Sequence, residues 1–597
     1  MASEKWNEVG KFWEDDHGLL DDEQMSECAR ANEADAFRSP IPTQMVSNGE
    51  YMPIPQTDKQ KQVEGRIKEL AESASKKLGV DRRAFLASSG GMAAALLAMN
   101  EVFGRMFDVN PIEMFEPAAY AQSGAPRDLF VFDDQLHLVR GSNLQSGHAL
   151  RAASQGPTSA PRFKVNPQNP KGLPDELGQP WAVWNPALVG LPMSPENFQL
   201  VQFIKDIYLD SQVTIGLLSN VTAMTATPVG QRGQPGGEPD RPPRNIEEAI
   251  RAETITAGQT AAARNFVNEI SGSTRMLCHG LLYVGKGNLA YIQEQIDKHQ
   301  PDSWKGYNIS YAAKVDNDPM SPMRQWRHDD EDVAYPTFEL IQKTYERIKD
   351  KKPGFRNICV HKGLAPGPND PVRGHPADLP KALKDWPNLN FITYHACIQS
   401  TGFHADSLET IKTGRRMRDG VPDILWTTEY AQLVAPFKNA YAEIGTTWGS
   451  SVVTFPTVAA HIMGQLMKYL GSDRIVFGSD CVWYGSPQWQ IDALWRFQIP
   501  EEMRKKFGYP ELTRDAKRKI LGLNSAKLYG IKPLEGAAKD KVYRPVPKDF
   551  ESRISNELKT IMEFPGYTAD NMANMKERYA AMGAQPSHTR YGWIRKG

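Results

Sequence analysis

Short apolar runs rich in β-branched residues alternate with segments of helical apolar spacing from about residue 127 to residue 531. This alternation is typical of βαβ units and predicts a parallel sheet. Helical patterns such as 337–349 and 458–470 separate most of the runs. Eight strands over this length predict an α/β fold, a (β/α)8 TIM-like barrel, with a doubly wound sheet as the alternative. The predicted strands are 129–138, 213–218, 276–283, 306–311, 357–361, 389–394, 440–444 and 475–477.

Three segments that follow predicted strands are long, namely 141–200, 221–246 and 397–438, and the first two are rich in Gly and Pro. Large loops at the carboxyl ends of barrel strands are where a substrate lid would lie. The last segment of the chain, 532–597, is expected to form a C-terminal arm that wraps the barrel or a partner subunit.

The part of the chain before the barrel divides into a polar arm, 1–80, and an apolar segment with a linker, 81–126. Arg82-Arg83 and Phe85-Leu86 precede a run of small and apolar residues, which resembles a twin-arginine export signal. Ala119-Tyr120-Ala121 resembles a cleavage site. A functional signal implies the bacterial periplasm. The alternative is a cytoplasmic protein that retains this segment as an Ala-rich helix buried on the barrel, and the start of the motif some 80 residues into the chain favours it.

Composition excludes several classes of protein. Among the 597 residues, 70 Lys and Arg balance 71 Asp and Glu, so nothing indicates a nucleic-acid partner. The mean hydropathy of −0.51 and the lack of an apolar run near 20 residues argue against an integral membrane span. Five scattered cysteines without a CxxC pair predict neither a disulfide framework nor a structural zinc knuckle. The two arms suggest a homo-oligomer that binds a small-molecule substrate.

Polar residues stand where four of the predicted strands end. Gln135 and His137 lie at the end of the first strand, with the spacing that places both side chains on one face. His361, His395 and Asp480 end or follow strands 5, 6 and 8. A barrel brings these ends to one mouth, and imidazole, carboxylate and oxygen ligands suit Zn, Mn or Fe. The pattern therefore predicts a catalytic metal site with a position left for water.

Several of these segments resemble the amidohydrolase superfamily, in the branch that contains aminocarboxymuconate-semialdehyde decarboxylase. The resemblance covers about 127–531 and is most specific at 474–480 (Arg-Ile-Val-Phe-Gly-Ser-Asp). Asn524-Ser525-Ala526 and the segments around the strand-5 and strand-6 histidines also match. The resemblance implies a distorted (β/α)8 barrel and one divalent metal ion, with zinc expected first and manganese or iron as alternatives. It implies that His137, His361 and Asp480 bind the ion and that His395 lies beside the bound water or substrate.

The chain departs from the family pattern at strand 1, where the hydrolases have Asp-x-His-x-His and this chain has Asp133-Asp134-Gln135-Leu136-His137. Gln135 is a neutral oxygen donor and a weaker ligand than His or Glu. With Asp480 as the one anionic ligand, a divalent ion keeps about one positive charge, which favours a carboxylate on the substrate. Gln135 could instead orient water from outside the ligand set.

The same residues serve two reactions. In a hydrolase, Asp480 takes the proton of the attacking water and passes it to the leaving group, while His395 stabilises the oxyanion. In a non-oxidative decarboxylase, Asp480 supplies the proton that replaces carbon dioxide. An oxygen-activating iron or manganese site is a third reading, and a degenerate barrel that serves as a binding or scaffold subunit is a fourth.

Further residues near the strand ends are candidates for binding substrate. Arg327 would clamp a carboxylate, and Lys362 would hold an anion unless it is a solvated loop lysine. For His279 and Glu443, packing or hydrogen bonding is the favoured alternative to a direct role. The candidate substrate-binding residues are Lys362, Arg327, Trp483, Tyr484 and His279.

Overall fold

Eight parallel strands lie side by side in the order in which they occur along the chain. This architecture is seen in a computed structural model that describes residues 39–43, 56–126, 129–139, 199–220, 243, 245–271, 273–308, 326–363, 371–399 and 403–533. The strands are β1 (Val131–Leu136), β2 (Val213–Leu218), β3 (Met276–Leu282), β4 (Ser303–Tyr307), β5 (Asn357–His361), β6 (Asn390–Tyr394), β7 (Ala440–Glu443) and β8 (Ile475–Val476).

Hydrogen bonds between β1 and the segment after β8 close the sheet into a barrel. The Asp134 amide donates to the Phe477 carbonyl at 2.9 Å, and the His137 amide donates to the Cys481 carbonyl at 2.6 Å. Leu136 and Cys481 form a parallel bridge at the same seam. The predicted (β/α)8 barrel is therefore confirmed, and the doubly wound alternative is wrong.

Seven strands lie at their predicted positions to within a few residues, whereas the fourth begins three residues before its predicted start, and residues 309–311 of that prediction lie outside the described residues. We predicted 306–311, and β4 is Ser303–Tyr307. Its Trp304 pairs with Ile358 of β5, which fixes the register. The predicted strand began just after Lys305, a charged residue, yet Lys305 lies at the centre of β4 and is fully buried in the barrel. Burial of its ammonium over the Tyr394 ring, 3.5 Å from the centroid, accounts for the difference.

Helices cover the outside of the barrel and precede it in the chain. The predicted patterns 337–349 and 458–470 correspond to α9 and α15. The helices are α1 (Asp58–Leu78), α2 (Arg82–Leu86), α3 (Ser89–Phe103), α4 (Pro117–Ser123), α5 (Leu200–Ile204), α6 (Ile246–Ala252), α7 (Ala257–Ser271), α8 (Leu289–Lys298), α9 (Tyr335–Ile348), α10 (Pro371–Gly374), α11 (Leu379–Asp385), α12 (Phe403–Thr413), α13 (Leu425–Val434), α14 (Gly445–Gly449), α15 (Pro456–Leu470), α16 (Gln488–Arg496), α17 (Glu501–Phe507), α18 (Arg514–Arg518) and α19 (Asn524–Leu528).

Two larger apolar cores, and a small cluster of Ala249, Leu281, Tyr283 and Tyr291, hold these layers together. The larger core lies between the helices and the outer faces of the strands. The smaller core fills the inside of the barrel, as expected for a barrel whose centre is packed rather than open. Its buried members are Phe132, Ile215, Leu217, Leu277, Cys359, Ile392, Tyr394, Val476, Leu528 and Tyr529.

Helices α1 to α4 form a layer, 56–123, that packs on the barrel; we call it the N-terminal layer. The apolar run after Arg82-Arg83 forms α3, and Ala94 and Leu96 are fully buried in the larger core. Arg496 of α16 is fully buried and contacts Glu113 of this layer at 2.8 Å. The apolar run after Arg82-Arg83 is therefore packed as a buried Ala-rich helix, which was one of the two interpretations of this run. Whether it also directs export stays a prediction.

Several predicted features fall outside the described residues. The long segments 141–200 and 221–246 lie almost entirely outside, as does the C-terminal arm. The third long segment, 397–438, contains α12, α13 and a two-stranded hairpin at Met417–Arg418 and Val421–Pro422. Within the part of the chain that the structure describes, no helix combines the length and apolarity needed to cross a bilayer.

Candidate active site

The seam that closes the barrel brings Gln135, His137 and Asp480 together; we call these three residues the carboxylate cluster. Asp480 Oδ1 lies 3.0 Å from His137 Nε2 and accepts a hydrogen bond of 3.0 Å from Gln135 Nε2. The Gln135 nitrogen lies 3.4 Å from His137 Nε2. All three side chains are buried. Three side chains that were predicted to share a metal site are therefore in mutual contact.

Asp480 is held as a carboxylate. Burial raises its pKa, but the hydrogen bond and charge interaction with His137 outweigh burial, and the interactions with His395 and Thr446 act in the same direction. The net effect holds the pKa of Asp480 below its ordinary value. Thr446 Oγ1 donates to Asp480 Oδ2 and also contacts the Tyr484 hydroxyl at 3.1 Å. Asp480 is thus ionised and fixed in orientation at neutral pH.

His361 and His395, which we call the histidine pair, lie beside the cluster. His395 Nε2 is 3.2 Å from His361 Nδ1, and the ring centroids are 4.6 Å apart. The Thr446 amide donates to His395 Nδ1 at 3.2 Å. Burial, opposed by Asp480 and assisted by Lys305 and His137, lowers the pKa of His395 to about 3. A neutral His395 that accepts at Nδ1 carries its proton at Nε2 and donates it to His361.

Glu443, at the end of β7, supports the histidine pair from below. Its Oε2 accepts from the His395 amide at 3.0 Å and its Oε1 accepts from the Gly445 amide at 2.5 Å. Burial raises the pKa of Glu443 to about 8, although these two amides and Lys305 oppose the shift. A Cβ atom on Gly445 would lie 2.6 Å from Gln135 Oε1, so this close approach requires glycine. Glu443 therefore has the hydrogen-bonding role that was favoured for it.

The backbone at the site is strained. His395, Ala396 and Cys397 have φ of 58°, 48° and 56°, and Asp480 has φ of 59°. Non-glycine residues in this left-handed region each cost about 1–3 kcal/mol, and such strain is found mainly at functional sites. Glu443 and the neighbouring threonine hydroxyl of α14 hold His395 at its amide and carbonyl. The surrounding structure thus fixes both reactive side chains on strained backbone.

Two aromatic residues, Trp483 and Tyr484, cover the carboxylate cluster, and their role as substrate contacts stays a prediction. The Trp483 ring stacks on His137 with centroids 5.5 Å apart and planes 28° apart. The Tyr484 hydroxyl reaches Asp480 through Thr446. Both aromatic side chains are buried. Thr446 itself was missed by sequence reasoning, and the available signal was its place three residues after the end of β7.

His279 lies below the mouth in a closed chain of hydrogen bonds. The Tyr529 hydroxyl donates to Ser303 Oγ at 3.0 Å, and this oxygen lies 2.8 Å from His279 Nδ1. His279 Nε2 lies 3.0 Å from the Tyr394 hydroxyl, which donates to the Asp134 carbonyl. Burial, with Lys305 and His137, holds the pKa of His279 well below its ordinary value. Both ring nitrogens are engaged, which matches the packing and hydrogen-bonding alternative rather than substrate binding.

Lys362 and Arg327 do not join the cluster. Lys362 Nζ lies 2.9 Å from Asp378 Oδ1, and both side chains are fully buried. Arg327 forms a two-pronged contact with Asp329, at 2.8 and 3.0 Å, and donates to the Val372 carbonyl. Both cations are therefore paired with protein carboxylates. Their roles as substrate contacts stay predictions that these contacts do not support.

The carboxylate cluster fits a divalent ion through its donor set. Two ligands about 2.1 Å from one ion, at a right angle or slightly more, lie about 3.0–3.4 Å apart, which is the spacing seen here. Gln135 Oε1 is buried and has no hydrogen-bond partner among the described residues. Since the two amide atoms are interchangeable by a flip, this oxygen can take the place of the nitrogen.

The cluster differs from the predicted ligand set at His361. Among the described residues, no group of three or more His, Cys, Asp and Glu side chains is arranged to hold a metal, and the third donor here is the amide of Gln135. His361 accepts at Nδ1 from His395, so a neutral His361 carries its proton at Nε2. To bind a metal through Nε2, His361 would have to move its proton to Nδ1. His395 would then have to accept at Nε2, so both histidines would change tautomer.

Comparison with known proteins finds a family model that matches part of the chain. The amidohydrolase family model matches residues 324–531, which contain His361, His395 and Asp480. The resemblance inferred from the sequence is confirmed for this part of the chain. No curated protein matches the sequence.

Solved decarboxylases are similar to the chain at low identity. 2,6-Dihydroxybenzoate decarboxylase from Rhizobium is 13% identical, over 54% of this chain and 85% of that chain, with a TM-score of 0.30. 5-Carboxyvanillate decarboxylase from Sphingomonas paucimobilis is 12% identical, over 68% and 100%, with a TM-score of 0.33. Dihydroxybenzoic acid decarboxylase from Polaromonas sp. JS666, with bound manganese, is 12% identical, over 67% and 97%, with a TM-score of 0.35. These TM-scores are below 0.5, so the similarity does not assign the fold. The barrel is established by the pairing of its own strands.

Proposed function

We propose that the barrel mouth is the active site of a divalent-metal-dependent hydrolase for small carboxylate-bearing substrates, aromatic or cyclic. Non-oxidative decarboxylation at the same site is the alternative. The observation that carries the proposal is the carboxylate cluster, whose three donors lie 3.0–3.4 Å apart. The amidohydrolase match over 324–531 supports it independently.

His137, Asp480 and Gln135 would hold one divalent ion, with His361 as the further predicted ligand. Zinc is the first expectation, and manganese and iron are the alternatives. When bound, such an ion lowers the pKa of a coordinated water and polarises a substrate oxygen. Because Gln135 is neutral, Asp480 is the one anionic ligand of the proposed set. A divalent ion would then keep about one positive charge, which favours a substrate that carries a carboxylate.

Asp480 handles the proton in both reactions. Its lowered pKa keeps it ionised, so its carboxylate can accept a proton from an attacking water and release it readily to a leaving group. In the decarboxylase reading, the same carboxyl supplies the proton to the carbon that loses carbon dioxide. Thr446 holds the orientation of the Asp480 carboxylate through Oδ2.

His395 supplies a hydrogen bond rather than a proton. With its pKa at about 3 it is neutral at pH 7, and its Nε2–H, which donates to His361 in this structure, would exchange that contact for an oxygen that gains negative charge. Glu443 holds the His395 backbone, and the Thr446 amide holds its ring. Trp483 stacks on His137 and excludes water from one side of the cluster.

The competing proposal is a degenerate barrel that binds a partner without catalysis. We would treat the full chain with a chelator, restore zinc, manganese or iron separately, and measure carbon dioxide release from aromatic carboxylates and hydrolysis of lactones and amides. We expect metal-dependent turnover that is lost in Asp480→Asn and kept in Asp473→Asn, since Asp473 is exposed on the surface. Turnover that is independent of metal would contradict the proposal. The proposed homo-oligomer is tested separately by light scattering, where a monomeric mass would contradict it.

A further inference from the structure

A cavity of about 460 Å³ lies away from the barrel mouth. It is formed where the end of α3 meets the segments around α17 and α18, and its lining includes Phe103, Met106, Gln498, Leu512 and Lys517. The N-terminal layer supplies one wall and the barrel domain supplies the others. The mechanism proposed above uses none of these residues.

Lys517 is a buried amine in the lining of this cavity. The residue is 4% exposed, and its Nζ donates to the Trp495 carbonyl at 2.7 Å. Within the described part of the chain, no carboxylate lies within ion-pair distance of Nζ. A buried ammonium without a carboxylate partner is disfavoured relative to the neutral amine.

The charges around Lys517 shift it further toward the neutral amine. Burial is the main cause of its lowered pKa, and the positive charges of Arg514 and Arg496 add to the effect. Asp108 and Glu511 oppose it, and the pKa of Lys517 comes to about 7. An ordinary lysine, with a pKa near 10.4, is about 0.1% neutral at pH 7.5. Lys517 is therefore a far better nucleophile at neutral pH than a surface lysine.

Arginines at the edge of the cavity determine which ligands suit it. Arg514 pairs with Asp108 at 3.2 Å and Arg504 pairs with Glu511 at 3.0 Å, so these two acids are already neutralised. Arg105 adds an exposed guanidinium to the lining. Glu501 and Glu502 also line the cavity, and Glu501 pairs with a neighbouring lysine. A ligand carboxylate can thus bind an arginine while another group of the ligand reaches the amine.

We propose that Lys517 forms an imine with small carbonyl compounds that carry a carboxylate, such as 2-oxo acids and aldehyde acids. The Nζ lone pair attacks the carbonyl carbon, and the resulting carbinolamine loses its oxygen as water. A C=N bond replaces the C=O bond, and one water is released for each imine. No electrons are gained or lost. This site is independent of the metal chemistry proposed for the barrel mouth.

The test uses the full chain with glyoxylate and cyanoborohydride, which reduces imines to stable secondary amines. Labelled lysines are identified by peptide mass spectrometry, and Lys505 of α17, 75% exposed, is the matched control. At pH 7.5 we expect labelling of Lys517 at least about tenfold faster than that of Lys505, saturable in glyoxylate. Arg105→Gln should raise the half-saturating glyoxylate concentration. Because the comparison is made within the unmodified chain, it does not depend on a Lys517 variant that folds.

Two further measurements separate this site from general lysine reactivity. The rate at Lys517 should rise through pH 7 and level off, whereas an ordinary surface lysine should react faster up to about pH 10. Acetaldehyde, which has no carboxylate, should label Lys517 more slowly than glyoxylate does. Labelling of Lys517 no faster than that of Lys505, or faster labelling by acetaldehyde than by glyoxylate, would overturn the proposal.

Discussion

The ion pair between Glu113 and Arg496 joins the N-terminal layer to the barrel, and its removal should destabilise the whole fold. Arg496 Nη2 lies 2.8 Å from Glu113 Oε2, and the two side chains are 0% and 3% exposed. Arg496 also donates to the Asp108 and Tyr120 carbonyls of the layer and lies 4.3 Å from the centre of the Tyr120 ring. Glu113→Gln keeps the size of the side chain and leaves a buried guanidinium without its anion.

The expected loss follows from this burial. Removing one partner of a buried ion pair costs about 3–5 kcal/mol of unfolding free energy. The contact meets the distance for an ion pair, but Glu113 Oε2 accepts no well-aligned hydrogen bond, so we expect the lower end, about 3 kcal/mol. Glu101→Gln is the matched control in the same layer. It breaks a pair with Arg66 in which both side chains are more than a third exposed, so it should cost less than about 1 kcal/mol.

The assay is urea unfolding of the full chain, followed by tryptophan fluorescence and by circular dichroism. Both probes should shift together in Glu113→Gln, because the layer and the barrel share one core. A loss in Glu113→Gln no larger than that in Glu101→Gln would refute the reasoning. Separate transitions for the two probes would also refute it, since they would show that the layer unfolds independently of the barrel.

Three further predictions concern the site and the outer core. Gly445→Ala places a Cβ atom 2.6 Å from the side-chain oxygen of Gln135 and should lower the unfolding free energy, measured by thermal unfolding, by about 1–3 kcal/mol. Gly449→Ala is the control, because its Cβ atom would have its nearest contact at 3.4 Å, and it should leave the unfolding free energy almost unchanged. Equal losses in the two variants would contradict this reasoning. Thr446→Val removes the hydroxyl that binds Asp480 and should weaken metal binding in calorimetry about tenfold, whereas Thr446→Ser should restore it. Burial, with a smaller contribution from a nearby lysine, lowers the pKa of His461 to about 3, so the folded protein keeps this side chain neutral. The unfolding free energy should therefore fall as the pH drops from 6.5 toward 3, and it should fall less steeply in His461→Gln. Parallel curves of unfolding free energy against pH for the two proteins would contradict the account.

The barrel and the main cluster could be predicted because both depend on local pattern. Four of the apolar strands have polar residues at or just after their carboxyl ends, and a parallel barrel brings these ends together whatever the loops do. Gln135, His137 and Asp480 were therefore found from their positions alone. The strand β4 was misplaced because its central Lys305 is polar in sequence yet buried in the structure.

The remaining site residues depend on contacts between distant parts of the chain. Lys362 meets Asp378 on the following loop, and His279 meets Tyr394 three strands away. No sequence pattern connects these partners, so the predicted substrate contacts could not be distinguished from buried structural pairs. Thr446 was missed because threonine after a strand is common and its two roles appear only once Asp480 and His395 lie beside it.

Metal content is the most direct test of the central claim that the carboxylate cluster holds a divalent ion. The full chain, purified without metal-chelating resin, would be measured by inductively coupled plasma mass spectrometry beside Asp480→Asn and the surface control Asp473→Asn. We expect about one zinc, manganese or iron ion per chain in the unmodified protein and the control, and loss of that ion in Asp480→Asn with the fold retained. A chain that is free of metal and insensitive to chelators, or an Asp480→Asn variant that keeps its ion, would contradict the account.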